Sequence, residues 1–229
     1  MSEPLAPIYL LADSQLLFWK RSHGALFLQE IADATGVEHP SAAYIGASNN
    51  DKLEFYHELF EPAMQQIGSG ECRMILKRPA AEDAKFLETA DIILLAGGSV
   101  EAGWRAFSEN GLQQLIPRRF VEGAVLIGVS AGAVQLGRGG LTDDESALLP
   151  TFSLLPFYVA AHDEKRDWAS LRKVLQLAGA PARGFGLPFG SGAVYDAGEI
   201  EPIARGIFEL SRDENDTKES LAFPNAETS

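Results

Sequence analysis

Gly123-Ala124-Val125-Leu126-Ile127-Gly128-Val129-Ser130-Ala131-Gly132-Ala133-Val134 reads as a short buried strand that runs directly into a helix. Its apolar half, rich in Val, Leu and Ile, is what a strand covered on both faces requires. Gly128-x-Ser130-x-Gly132 then gives the small-residue spacing of a nucleophile elbow, a strand-to-helix turn so sharp that the residues two before and two after the serine must lack bulk. Such a turn pushes the serine hydroxyl outward beside the N–H groups of a helix N-terminus, where developing negative charge is stabilised. The same glycines also serve a strand-turn-helix without chemistry, so the catalytic reading needs a base elsewhere in the chain.

Working outward from the elbow, apolar runs recur at a regular interval. Residues 8–12 (Ile-Tyr-Leu-Leu-Ala), 42–45 (Ala-Ala-Tyr-Ile), 72–76 and 91–95 read as strands, the last ending on Gly97-Gly98. Helical patterns separate them: Leu26, Ile31 and Ala34 on one face, then Leu53 to Met64 with Asp51 as a candidate cap, 83–89, and 104–116. This alternation indicates βαβ units and a mostly parallel sheet with helices on both faces. Chemistry in such sheets collects at the carboxyl ends of the strands, here the loops 46–51, 97–101 and the elbow. After the elbow come an acidic segment holding Asp143, Asp144 and Glu145, an apolar stretch ending at His162, a helix over 163–178, and short strands at 184–188, 192–195 and 207–210. Residues 1–210 are expected to form one α/β domain, and 211–229 an acidic tail.

Bulk properties narrow the function classes. The chain of 229 residues can bury an ample core. Its 19 Lys and Arg against 32 Asp and Glu, a net charge of -13, give no clustered basic face for a nucleic-acid backbone. Cys72 is the single cysteine, so neither an internal disulfide nor a cysteine-based metal site is expected. Neither a secretory signal pattern nor an apolar run of roughly 18 residues is present, and a cytoplasmic protein without membrane contact is the expectation. No cofactor is called for: Ala96-Gly97-Gly98-Ser99 lacks both G-x-G-x-x-G and a phosphate-loop lysine.

A serine is a weak nucleophile until a base takes its proton. Among the four histidines, His23, His39 and His57 fall in helices or polar loops before the elbow, whereas His162 ends an apolar stretch at the edge where strand ends deliver side chains. A carboxylate should orient its imidazole, and Asp144, with Asp143 and Glu145 as alternatives, lies in the segment between Ser130 and His162; a solvated acidic loop fits that segment equally well.

Gly97-Gly98, the elbow, Leu154-Leu155-Pro156 leading to His162 and Glu164-Lys165-Arg166, and Gly184-Phe185-Gly186-Leu187-Pro188 together resemble, in order, the S51 serine peptidases, which include peptidase E and the cyanophycinases. The resemblance runs from about Ile8 to Leu210. It implies a three-layer αβα sandwich of the class I glutamine amidotransferase-like, flavodoxin-like type. It further implies Ser130 as nucleophile, His162 as base, the Gly98 and Ala131 N–H groups as oxyanion hole, and Arg166 as reader of an acidic substrate side chain, with pairing into homodimers. The substrate so implied is a small peptide, a dipeptide with N-terminal Asp, cleaved through an acyl-enzyme. Two positions depart from the family: Ser99 stands where Asn or Asp is usual, shortening a substrate-positioning group, and Phe189 follows the late Gly-Leu-Pro where an acidic residue is common. The alternatives are a cyanophycinase-like or other small-amide hydrolase, or a non-catalytic binding module on the same fold. An ammonia-supplying glutaminase would need cysteine at the elbow, and Cys72 lies far from it in sequence.

Overall fold

Successive residues of the central strands enter two different cores. Ile8 and Leu10, Ala43 and Ile45, and Ile93 and Leu95 pack in one cluster, while Tyr9 and Leu11, Ala42 and Tyr44, and Ile92 and Leu94 pack in the other. A strand alternates its side chains between faces, so a sheet with both faces apolar must be covered on both.

The computed structural model describes residues 5–213 and 217–222. Its strands are β1 (Ile8–Leu11), β2 (Ala42–Ile45), β3 (Cys72–Ile75), β4 (Ile92–Leu95), β5 (Val125–Val129), β6 (Gly139–Leu141), β7 (Leu148–Pro150), β8 (Tyr158–Ala161), β9 (Ala182–Leu187), β10 (Gly192–Asp196), β11 (Glu199–Ile203), β12 (Ile207–Arg212) and β13 (Thr217–Ala222). The helices are α1 (Phe27–Ala34), α2 (Leu53–Phe55), α3 (Glu61–Gln66), α4 (Ala81–Leu87), α5 (Val100–Glu109), α6 (Leu112–Val121), α7 (Ala131–Leu136) and α8 (Ala169–Ala178), with a π-helical turn at Tyr56–Phe60 joining α2 to α3. The central sheet has the order β11-β10-β1-β5-β4-β2-β3. Its β1, β5, β4, β2 and β3 are parallel, and β10 and β11 add an antiparallel edge. Phe107 of α5 and Ile116 and Phe120 of α6 cover one face; Phe27, Leu28 and Ile31 of α1 and Met64 of α3 cover the other. The three-layer α/β architecture expected from the sequence is present.

Four expectations change. The chain has a second, four-stranded sheet, β13-β12-β9-β8, in which β8 and β9 are parallel. Val159, Phe185 and Leu187 of that sheet pack into the α5 side of the main core, and α8 covers its other face through Leu171, Val174 and Leu175. The expected single helix over 104–116 is two helices, because Gly111 takes φ 73° and breaks the run. The expected helix over 163–178 begins only at Ala169, after left-handed residues at Asp167 and Trp168. Finally, the acidic tail expected from residue 211 starts as strand: β12 runs through Arg212 and pairs antiparallel with β13. The remainder of that expectation, 214–216 and 223–229, lies outside the described residues.

Candidate active site

Ser130 sits at φ 50° and ψ -107°, a conformation that an L-residue rarely adopts. Its surroundings hold it there. The Ser130 N–H donates to the Leu11 carbonyl at 2.8 Å, and the Ser130 carbonyl accepts from the Val134 N–H at 3.1 Å. A Cβ at position 128 would meet the Ala133 nitrogen at 2.6 Å, and one at 132 would meet the Leu95 carbonyl oxygen at 2.1 Å. Only glycine fits at either place, so the reading of both residues as elbow glycines holds in the structure.

The end of β4 closes against the same turn. A Cβ on Gly97 would lie 3.3 Å from the Ser130 Cβ, and Gly98 has φ 134° and would place a Cβ 2.1 Å from the Ser48 carbonyl oxygen. The Ser99 N–H donates to that carbonyl at 2.8 Å, and the Ser99 hydroxyl caps α5 by accepting from the Ala102 N–H at 2.9 Å. Gln135, fully buried in α7, donates to the Ser48 hydroxyl and the Val100 carbonyl, both at 3.0 Å, and so locks the elbow helix to the loop after β2 and the start of α5. Among the described residues, neither the Gly98 nor the Ala131 N–H has a hydrogen-bond acceptor. Both were expected as oxyanion donors; Gly98 lines the cavity described below, and Ala131 is not among its lining residues.

His162 follows β8 at φ 58°, with its N–H on the Leu187 carbonyl at 3.0 Å. It comes from the second sheet, and it lines the same cavity as Ser130. The acidic segment does not deliver a carboxylate to it. Asp143 accepts from the Ser99 hydroxyl at 2.8 and 2.9 Å. Asp144 closes its own turn, accepting from Thr142 Oγ1 at 2.7 Å, the Ser146 N–H at 2.9 Å and Ser146 Oγ at 2.7 Å, bonds that hold its pKa down at about 2. Glu145 pairs with Arg166 at 2.9 and 3.2 Å. Asp163 caps α8 through Ser170, accepting from its N–H at 2.8 Å and its hydroxyl at 2.6 Å.

The cavity, about 730 Å³, opens at the carboxyl edge of the main sheet between β1, β2, β4 and the elbow. Leu17, Phe55, Leu59 and Phe60 give it an apolar wall. Tyr44 lies within, its phenol pushed up to about 12 by burial and its oxygen accepting from Asn49 Nδ2 at 2.7 Å. Four cations, Lys52, Lys77, Arg78 and Arg105, line it against two carboxylates, Asp13 and Glu109. The chain carries a net charge of -13, so this local excess of positive charge is a property of the site. Lys77 donates to Asn50 Oδ1 at 2.6 Å and Arg105 to Glu101 at 3.2 Å; the Lys52 and Arg78 side chains have no hydrogen-bond or ion-pair partner among the described residues.

Of the residues expected from the sequence, Ser130, His162, Gly98 and Ser99 line the cavity. Arg166 is not among its lining residues, and its guanidinium is taken by Glu145 with Asp163 at 3.7 Å. The cavity cations were not singled out from the sequence, where they resemble ordinary surface charges. For three of them the one signal is place: Lys77 and Arg78 come just after β3, and Lys52 follows the loop after β2, both at the carboxyl edge. Asp51, expected as a helix cap, instead accepts from the Lys77 N–H at 2.9 Å and fixes that corner.

Among the described residues no cluster of His, Cys, Asp and Glu could hold a metal ion, and no helix is long and apolar enough to cross a membrane. Residues 10–187 match the sequence model of peptidase family S51. The chain is 26% identical over 127 residues to YgaJ of Bacillus subtilis strain 168, described as an uncharacterized peptidase; the match spans 55% of each, about half the length of that relative. Two solved structures share the fold. A peptidase from an acI-B1 actinobacterium is 16% identical, with a TM-score of 0.71 over 97% of both chains. A candidate peptidase E protein from Listeria monocytogenes EGD-e is 14% identical, with a TM-score of 0.63 over 87% of this chain and 98% of its own.

Proposed function

The chain belongs to peptidase family S51, and from that premise we propose that it is a serine peptidase acting on short peptides through an acyl-enzyme on Ser130. The observation that carries the reading is a serine held at positive φ on the rim of a cavity that it shares with His162. In this mechanism His162 takes the hydroxyl proton as Ser130 attacks the scissile carbonyl, and the Gly98 and Ala131 N–H groups stabilise the oxyanion, worth about 3 kcal/mol per donor. The imidazolium then protonates the leaving amine, and water enters by the same path in reverse.

The substrate is a small peptide with an anionic group, a dipeptide with an N-terminal aspartate being the first candidate. A volume of about 730 Å³ lies within the range of small-molecule sites, and the cationic lining supplies partners for a carboxylate. Because Arg166 is held by Glu145, this role falls to Arg78 and Lys52. The apolar wall favours a second reading, a larger amide with an apolar substituent seated against Phe55 and Phe60. Incubating wild type and Ser130→Ala with Asp-X, Glu-X, isoaspartyl-X and neutral dipeptides, with X small or aromatic, separates the two. Ser130-dependent release from acidic dipeptides supports the first reading. Release only from substrates with large apolar X supports the second, and release that survives Ser130→Ala contradicts both.

A further inference from the structure

Glu164 is a carboxylate without a structural assignment. It lies in the short 3₁₀ turn Glu164–Arg166 that follows His162, and its two oxygens differ sharply. Oε1 accepts from the Phe189 N–H at 3.3 Å, in the turn just beyond β9. Oε2 is buried with no hydrogen-bond partner. Leaving a buried carboxylate oxygen unpaired forfeits its hydration without return, so a partner is expected in some state of the protein.

The Phe189 turn also borders His162. The His162 N–H donates to the carbonyl of Leu187, and the imidazole lies against the Phe189 ring with centroids 6.0 Å apart. Among the described residues neither imidazole nitrogen has a hydrogen-bond partner. An imidazole serving as base needs an acceptor for its second N–H, to fix the tautomer and to stabilise the imidazolium. The other nearby carboxylates are committed: Asp163 to α8, Glu145 to Arg166, Asp144 to its own turn and Asp143 to Ser99.

We propose that Glu164 is the positioning residue for His162, its free carboxylate oxygen accepting the imidazole N–H while the Phe189 N–H anchors the other oxygen. The inference rests on the reading of Ser130 and His162 as nucleophile and base. Both side chains already meet the same residue, Glu164 through the Phe189 N–H and His162 through the Phe189 ring. No proton is transferred to Glu164; its carboxylate offsets the positive charge that His162 gains as Ser130 attacks.

The test pairs Glu164→Gln with Glu164→Asp in the full chain, with circular dichroism to establish that both fold. Two readouts are taken: the NMR titration of the His162 imidazole, assigned by its loss in His162→Asn, and the rate at which a fluorophosphonate labels Ser130. A carboxylate beside the imidazole favours its protonated form, so Glu164→Gln should move the His162 titration to lower pH. It should also slow labelling about 100-fold or more, by analogy with loss of the orienting acid in other serine hydrolases, with Glu164→Asp restoring part of both. A His162 titration unmoved in Glu164→Gln overturns the proposal, as does labelling at the wild-type rate. If wild type itself is not labelled at Ser130, the peptidase reading fails instead, and the titration still decides whether Glu164 faces His162.

Discussion

At the scale of the residue, the site is built from backbone that the chain would not adopt without compulsion. Ser130 at positive φ carries strain of about 1–3 kcal/mol, held by the Leu11 and Val134 hydrogen bonds and by glycines that let neighbouring backbone close in. Ser130→Gly should therefore raise stability by about 1 kcal/mol in denaturant unfolding while abolishing turnover. A glycine variant no more stable than wild type would mean that the elbow is relaxed. The elbow was legible because its requirement is steric: positions 128 and 132 have no room for a Cβ, and sequence records that as glycine. His162 was legible only from its place after an apolar run. The assignments of the acids were not legible, because whether Asp144 turns on Ser146 or reaches an imidazole depends on loop geometry that spacing does not encode.

At the scale of the element, α7 and the 142–147 loop behave oppositely. α7 tolerates no side chain at Gly132: Gly132→Ala would drive a methyl to within 2.1 Å of the Leu95 carbonyl and should cost at least about 2 kcal/mol, read as a lowered denaturation midpoint. An unchanged midpoint would mean that β4 can move away from the elbow. The loop is held from outside, by Ser99 on Asp143 and Arg166 on Glu145. The Arg166 hydrogen bond lowers the Glu145 pKa, so the pair is present above the ordinary carboxylate range and is lost as pH falls through the depressed value. Glu145→Gln should thus make the loop several-fold more susceptible to limited proteolysis at neutral pH, and equal nicking of wild type and variant would dismiss the latch. The parallel strands β1 to β5 read directly from their apolar runs. The polar β13 did not, since its pairing with β12 is set by tertiary context rather than by its own pattern.

At the scale of the whole molecule, two sheets meet at the cavity: the central sheet brings Ser130, Gly98 and the cations, and the second sheet brings His162. An acidic chain with a cationic cavity should draw anionic substrates to one place. Arg78→Ala should then lower kcat/KM for acidic dipeptides about tenfold, the scale of one charged hydrogen bond, and leave neutral ones nearly unchanged. Arg166→Ala should affect both classes alike, because its guanidinium serves the loop. Selective loss in Arg166→Ala instead would return acid recognition to that residue. The claim under all of these is that Ser130 is the nucleophile. It is tested most directly by treating the intact chain with a fluorophosphonate and mapping the adduct by peptide mass spectrometry. The account predicts one adduct, on Ser130, that disappears in Ser130→Ala and is strongly slowed in His162→Asn. An adduct on another residue, or peptide hydrolysis undiminished in Ser130→Ala, would contradict it.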